Sequence, residues 1–208
     1  MELLFIRHAL PQRVEGFDGP ADPELSEAGE HQARYLAEYL AFERIHAVFA
    51  SPLRRAVQTA EPVAQRQSVE VTLADGIAEY DRDAAEYIPI EQLKAEGLPG
   101  WQDVLTGSVH RAAGVDPHEF RAGVVEAVEE MIEAHPGKKI AAVCHGGVIN
   151  AYITHVLGIA EPSGFFYPNY TSIHRIAAAR SGERSVLSLN ETCHLRGTGL
   201  PIGLFGGS

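Results

Sequence analysis

The sequence predicts an α/β fold: a three-layer sandwich with a mostly parallel central sheet and helices on both faces. Three observations predict it. Short apolar runs alternate with segments whose apolar residues recur at helical spacing, the pattern of strands joined by crossover helices. Two of the apolar runs, residues 3–6 and 140–144, end abruptly in histidine, as Arg7-His8 and as His145-Gly146-Gly147. No internal repeat and no linker-like stretch divides the 208 residues, so a single domain over 1–208 is expected. Crossovers between its parallel strands should be right-handed.

Each element has its own justification, in chain order. Residues 3–6 form a short buried strand, and a loop rich in Gly, Pro and Asp follows to Pro23. Ser26 is a good N-cap, with Glu27 in the first turn where the helix dipole favours an acid. Ala33, Leu36, Ala37 and Leu40 then recur at helical spacing. Residues 45–50 read as a second buried strand. Ser51-Pro52 opens a second helix, with Pro52 suited to the first helical position, and Pro62 should kink or interrupt that helix. Residues 69–73 alternate loosely, as an edge strand does. From 75 to 117 periodicity fades, and Gly97, Pro99, Gly100, Gly107 and Gly114 break any long element. Such a stretch is an insertion or a binding lid, placed here at about 80–118. A helix over 117–134 ends at His135-Pro136-Gly137. After the strand at 140–144, Val148, Ile149, Tyr152, Ile153, Val156 and Leu157 mark the apolar face of another helix. Residues 172–178 and 185–190 read as late strands, and the glycine-rich end from 197 to 208 as a loose tail.

Bulk properties exclude several classes. A formal charge of −11 argues against nucleic-acid binding, although a local cationic pocket remains compatible with it. No apolar stretch is long enough to span a membrane, and the N-terminus lacks the features of a signal peptide, so a cytoplasmic protein is expected. Cys144 lies in an apolar strand and reads as a buried free thiol, and its pairing with Cys193 is not implied. No metal and no other cofactor is expected: His-Glu-x-x-His is absent, and Cys144 and His145, adjacent at a strand end, point apart. Composition carries no signal for oligomeric state.

Ligands bind at the carboxyl ends of strands in α/β sheets. A histidine there with an arginine beside it suggests an enzyme that handles phosphate. The candidate constellation is Arg7, His8, Arg55, Glu79 and His145. Its setting is more informative than any member: Ile6-Arg7-His8; Asp22-Pro23-Glu24-Leu25-Ser26 with Gly29 and Gln32-Ala33; Ser51-Pro52-Leu53-Arg54-Arg55-Ala56 with Gln58-Thr59-Ala60; and Cys144-His145-Gly146-Gly147-Val148. In this order the sequence resembles the histidine phosphatase superfamily, the phosphoglycerate mutase-like enzymes. The resemblance implies an α/β fold and phosphoryl transfer through a phosphohistidine, with a small phosphorylated molecule as substrate.

On that resemblance His8 is the nucleophile, a neutral imidazole with one ring nitrogen free and the other tied to backbone. Arg7 and one arginine of the second helix clamp the phosphoryl oxygens, since the guanidinium fork fits them. Arg54 and Arg55 point about 100° apart on a helix, so one of them faces the pocket. The family's arginine immediately precedes the alanine, which selects Arg55 and leaves Arg54 to solvent. His145 would donate a hydrogen bond to the transferring group; a helix-capping histidine is the plainer alternative. Gly146 and Gly147 let backbone approach the phosphate at a helix N-terminus. Glu79 stands where the family carries its general acid, with Asp81, Asp83 and Glu86 as nearby alternatives. Asn169-Tyr170-Thr171-Ser172 supports the loop before a late strand.

Three departures bear on function. Ala9 replaces the family's usual glycine after the first histidine. Residues 10–14 lack the family's hydroxyl and asparagine, so either Gln12 or Arg13 substitutes or those contacts are missing. The mutases' Arg-His-Tyr-Gly run after the acid is not matched by Tyr80-Asp81-Arg82-Asp83, which favours hydrolysis, a metal-independent phosphomonoesterase. The competing readings are a phosphoglycerate mutase-type transferase and a non-catalytic module that binds phosphate ligands. Tyr87, Trp101 and His110 are candidates to line the lid, with ordinary packing the first expectation for each.

Overall fold

The computed structural model describes residues 1–16, 18–106, 108–160 and 166–204. Six strands form one sheet: β1 (Glu2–Arg7), β2 (Ala47–Ala50), β3 (Val71–Leu73), β4 (Lys139–Cys144), β5 (Ile173–Ala178) and β6 (Arg184–Glu191). Their spatial order is β3-β2-β4-β1-β5-β6. The first four run parallel, while β5 pairs antiparallel with both β1 and β6. The sheet is therefore mixed, with its parallel half carrying the histidine-terminated strands.

Period-two alternation divides the apolar residues between the two faces. Leu3, Phe5, Ile140, Ala142 and Cys144 face α6 (Pro117–Ala134) and α7 (Gly146–Val156). Leu4, Ile6, Ala141 and Val143 face α1 (Glu27–Leu40) and α2 (Arg54–Gln67). With both faces covered, β1 and β4 read as unbroken apolar runs.

Register positions the site. Ile6 lies opposite Val143 and Arg7 opposite Cys144 across β1 and β4. Ala50 of β2 lies opposite Val143 on the other side. The next residues along, His8, His145 and Ser51, therefore emerge side by side. The His8 amide donates to the Cys144 carbonyl at 2.9 Å and the Ser51 amide to the Val143 carbonyl at 3.0 Å, extending both ladders past the strands.

Ser26 caps α1, its hydroxyl accepting from the Gly29 amide at 3.1 Å. The second helix departs from expectation. It begins at Arg54, with Leu53 as the extended cap residue and Pro52 outside. The reason is a cap from elsewhere in the chain: Asp22 accepts from the Arg54 amide at 2.9 Å. The helix also runs unbroken through Pro62. Only the half-buried Gln58 carbonyl loses its intrahelical donor, and packing of Ala60, Val63 and Ala64 into the core holds the helix on either side. β2 begins at Ala47 rather than 45, because the Ile45 amide is taken by the Gln67 side chain.

The segment of faded periodicity contains three short helices, α3 (Ile90–Glu96), α4 (Gly100–Thr106) and α5 (Val109–Ala112). Gly107 lies outside the described residues, as do 205–208 of the tail. The described part of the tail is anchored, not loose: Gln32 donates to the Pro201 carbonyl, and the Tyr170 amide to the Ile202 carbonyl at 3.0 Å. Among the described residues no helix is long and apolar enough to cross a membrane.

Candidate active site

His8 is buried at the end of β1. Its Nδ1 lies 2.7 Å from the Ala9 carbonyl. A carbonyl only accepts, so Nδ1 carries the proton and Nε2 keeps its lone pair. Burial, then Arg55 and Arg7, hold the imidazole far below its ordinary pKa, which keeps it neutral.

The loop that follows is strapped down from two helices. Thr59 Oγ1 accepts from the Ala9 amide at 3.0 Å, and Gln32 Oε1 from the Leu10 amide at 2.8 Å. A Cβ at position 29 would stand 2.1 Å from the Leu10 carbonyl oxygen, so α1 approaches this loop only as glycine. Gly29, Gln32 and Thr59 thus position His8 without reaching the cavity. The Gln12 amide group donates to the Leu25 carbonyl, and Arg13 pairs with Glu15 and Glu96. Neither lines the cavity.

His145 is fully buried beside His8, with ring centroids 5.1 Å apart. Its Nε2 is 2.7 Å from Ser51 Oγ, and Nδ1 has no partner among the described residues. Burial, then Arg55, His8 and Arg7, depress its pKa strongly.

Two guanidinium groups are buried close to both rings. Arg7 donates to the Pro168 carbonyl at 2.7 Å and lies over Tyr170 and Tyr167, 4.3 and 4.9 Å from their ring centres. Arg55, 2% exposed, lies 4.7 Å over the Tyr87 ring. Its carboxylate neighbours are distant, Asp81 at 3.8 Å and Asp22 at 3.9 Å. The Nε atoms of both arginines are buried without a partner among the described residues. Buried cations with unfilled donors are the arrangement that a bound anion would satisfy. Arg54 turns outward and pairs with Glu24, as helical geometry requires.

Glu79 follows a 3₁₀ turn at Asp75–Ile77 and is buried. Its carboxylate accepts from the amides of Gly147 at 2.9 Å and Tyr80 at 3.3 Å. Burial, then the charge of Asp81, raise its pKa to about 7. A Cβ at Gly147 would run into Glu79 Oε1 and the Tyr80 ring, so a side chain there would displace one of them. Of the alternatives, Asp81 is half-buried against Arg55, while Asp83 and Glu86 are exposed.

Arg7, His8, Arg55, Glu79 and Gly146 line one cavity of about 900 Å³, while His145, packed against His8, is fully buried and not part of that lining. Tyr87, Trp101 and His110 line it too, where packing alone was the first expectation. Tyr170 was read as loop support. It also lies against Arg7 and His8, and its hydroxyl donates to Glu91 of α3 at 3.0 Å, tying the lid to the site. Ser51 and Asp22 carry no sequence signal for their contacts, which span 94 and 32 residues.

Two histidines and two arginines gather at the ends of parallel strands of an α/β sandwich. The model of the histidine phosphatase superfamily (branch 1) matches residues 3–192, and the chain belongs to that family. It is 26% identical to phosphoserine phosphatase 1 of Hydrogenobacter thermophilus, over 94% of both chains. It is 24% identical to phosphoglycerate mutase-like protein 4 of Arabidopsis thaliana, over 99% of this chain and 92% of that one. Among solved structures it superposes on a mutant phosphoserine phosphatase from Entamoeba histolytica in complex with phosphoserine, with a TM-score of 0.72 and 24% identity over 93% of this chain and 98% of that one. That likeness shows the fold.

Proposed function

We propose that the protein is a metal-independent phosphatase that hydrolyses a phosphomonoester through a phosphohistidine on His8. One observation carries this reading: a neutral imidazole with its lone pair on Nε2 stands beside two buried guanidinium groups whose Nε atoms have no partner among the described residues.

In the first half-reaction His8 Nε2 forms a bond to phosphorus while the P–O bond to the alcohol breaks. Glu79 gives its proton to the leaving oxygen, a role suited to a carboxyl with a pKa of about 7. In the second, water attacks phosphorus, the now ionised Glu79 takes its proton, and the P–N bond breaks to release inorganic phosphate. Arg7 and Arg55 hold the phosphoryl oxygens as charge spreads over them. His145 donates through Nδ1 in the tautomer whose Nε2 accepts from Ser51. The α7 N-terminus at Gly146 adds the positive end of a helix dipole. The segment at about 80–118 acts as a lid of a single domain. Hydrolysis is preferred to mutase transfer because Arg82, in the segment after the acid, pairs with Asp75 and stays out of the cavity lining.

The test is release of inorganic phosphate from nitrophenyl phosphate in the presence of a chelator. Turnover is expected, with acid-labile phosphate trapped on the chain in a rapid quench and both lost in His8→Ala. A requirement for a divalent cation, or activity that survives His8→Ala, rules the mechanism out. Movement of phosphate between substrate positions without release identifies a mutase. Phosphate binding without turnover identifies a binding module.

A further inference from the structure

The phosphoryl end of the cavity is built from Arg7, His8 and Arg55, yet the whole space of about 900 Å³ is the size of a pocket for an entire organic ligand. Its far wall comes from the lid. Leu93, Leu98, Trp101, Val104 and Val109 give it an apolar surface, and Phe166 extends this from the other side. Charge is distributed unevenly. Arg7 and Arg55 are the only Lys or Arg residues among the described residues lining the cavity. Both sit at the phosphoryl end, and Arg55 already has Asp22 and Asp81 within 4 Å. The remaining wall carries Glu15, Glu86 and Asp103. Glu15 is paired with Arg13 from outside the lining, and Asp103 accepts from Ser108.

Lys94 stands 5.7 Å over the Trp101 ring but outside the lining, so among the described lining residues of this wall a second anionic group would meet carboxylates and no lysine or arginine. A small polar alcohol would leave the apolar surface uncovered. We propose that the substrate is a phosphate monoester of an uncharged, bulky and largely apolar alcohol, recognised by the lid wall around Trp101. The proposal rests on the phosphomonoesterase reading for the identity of the reacting group.

The experiment compares 2-phenylethyl phosphate with phosphoserine and 3-phosphoglycerate. All three are esters of unactivated alcohols, so differences between them report recognition rather than bond lability. Affinities are measured calorimetrically on His8→Ala, with orthophosphate as the reference for the phosphoryl end, and kcat/KM on the unaltered protein. Phenylethyl phosphate is expected to lead both carboxylate-bearing esters by at least about tenfold in each measurement. Equal or reversed order overturns the substrate class. No phosphate release from any ester, with the affinity order intact, upholds the substrate class and sinks the phosphatase reading alone. Trp101→Ala gives a second readout that does not depend on His8→Ala folding. It is expected to cost about tenfold in kcat/KM for phenylethyl phosphate and nothing in affinity for orthophosphate. An unchanged preference in that variant overturns the assignment of the wall.

Discussion

Glu79, held at a pKa of about 7 by burial and by Asp81, is half-protonated at neutral pH. Its two roles have opposite signs. As an acid it works when protonated, so kcat/KM should fall about tenfold per pH unit above 7, while the depressed pKa of His8 keeps the nucleophile neutral well below that. Glu79→Gln should remove the alkaline limb. It should also lower kcat on an alkyl phosphate by about 10²–10⁴, and much less on nitrophenyl phosphate, whose leaving group needs no proton. For stability, the folded state raises this carboxyl from 4.5 to about 7. The raised pKa favours the folded state below pH 4.5, and that advantage is lost as pH rises to 7. The same substitution should therefore stabilise the fold at pH 8 by up to about 3 kcal/mol and change little at pH 4. Denaturant titration at the two pH values checks this, and equal effects at both would refute the buried-acid assignment. The choice of Arg55 over Arg54 was legible in the sequence from helix geometry and motif position. The roles of Tyr170, Ser51 and Asp22 were not, because they act through contacts between distant parts of the chain that leave no local pattern.

At the scale of elements, α7 brings Glu79 to the site by offering the Gly147 amide in its first turn. A methyl group there would stand 2.2 Å from the carboxylate and 2.8 Å from the Tyr80 ring, so one of them must move. Gly147→Ala is expected to lower kcat about 10²-fold through misplacement of the acid. Its phosphate affinity should change far less. Loss of phosphate affinity with kcat retained would mean that this turn serves binding rather than proton transfer. Gly123→Ala is the contrast: position 123 lies inside α6 with open space around its missing Cβ. That change should stabilise the fold by about 0.5–1 kcal/mol, read as a shift in denaturation midpoint at constant m-value. The elements most legible in the sequence, β1, α1, α6, β4 and α7, bury wide apolar stripes or runs whose spacing names them. Less legible were the start of α2, which takes its cap from Asp22, and the lid helices. Those helices span four to seven residues, too few for a period to register or for local propensity to act without the rest of the fold.

The whole molecule carries a formal charge of −11, while its described anion site holds two buried arginines. An ion cluster ties the strands together outside the cavity lining, with Arg175 between Glu2, Glu43 and Glu191 and Lys139 beside Glu2 and Glu43. The two cations of that cluster are paired with carboxylates and line no part of the cavity, so the long-range field of the net charge opposes an approaching phosphate ester. Attraction begins only near the cavity, where Arg7 and Arg55 act at short range in a desolvated setting. Salt separates these two contributions. Raising sodium chloride from about 10 mM to about 150 mM shortens the screening length from about 30 Å to about 8 Å. The global repulsion is lost over that range, whereas the contacts inside the cavity are screened much less. The sign is the same whether encounter or bound-state affinity limits the reaction, because like charges are screened in both. kcat/KM for a phosphomonoester should therefore rise, by about twofold or more, with kcat unchanged. A fall over the same range would mean that the local arginine field reaches beyond the cavity mouth and outweighs the net charge.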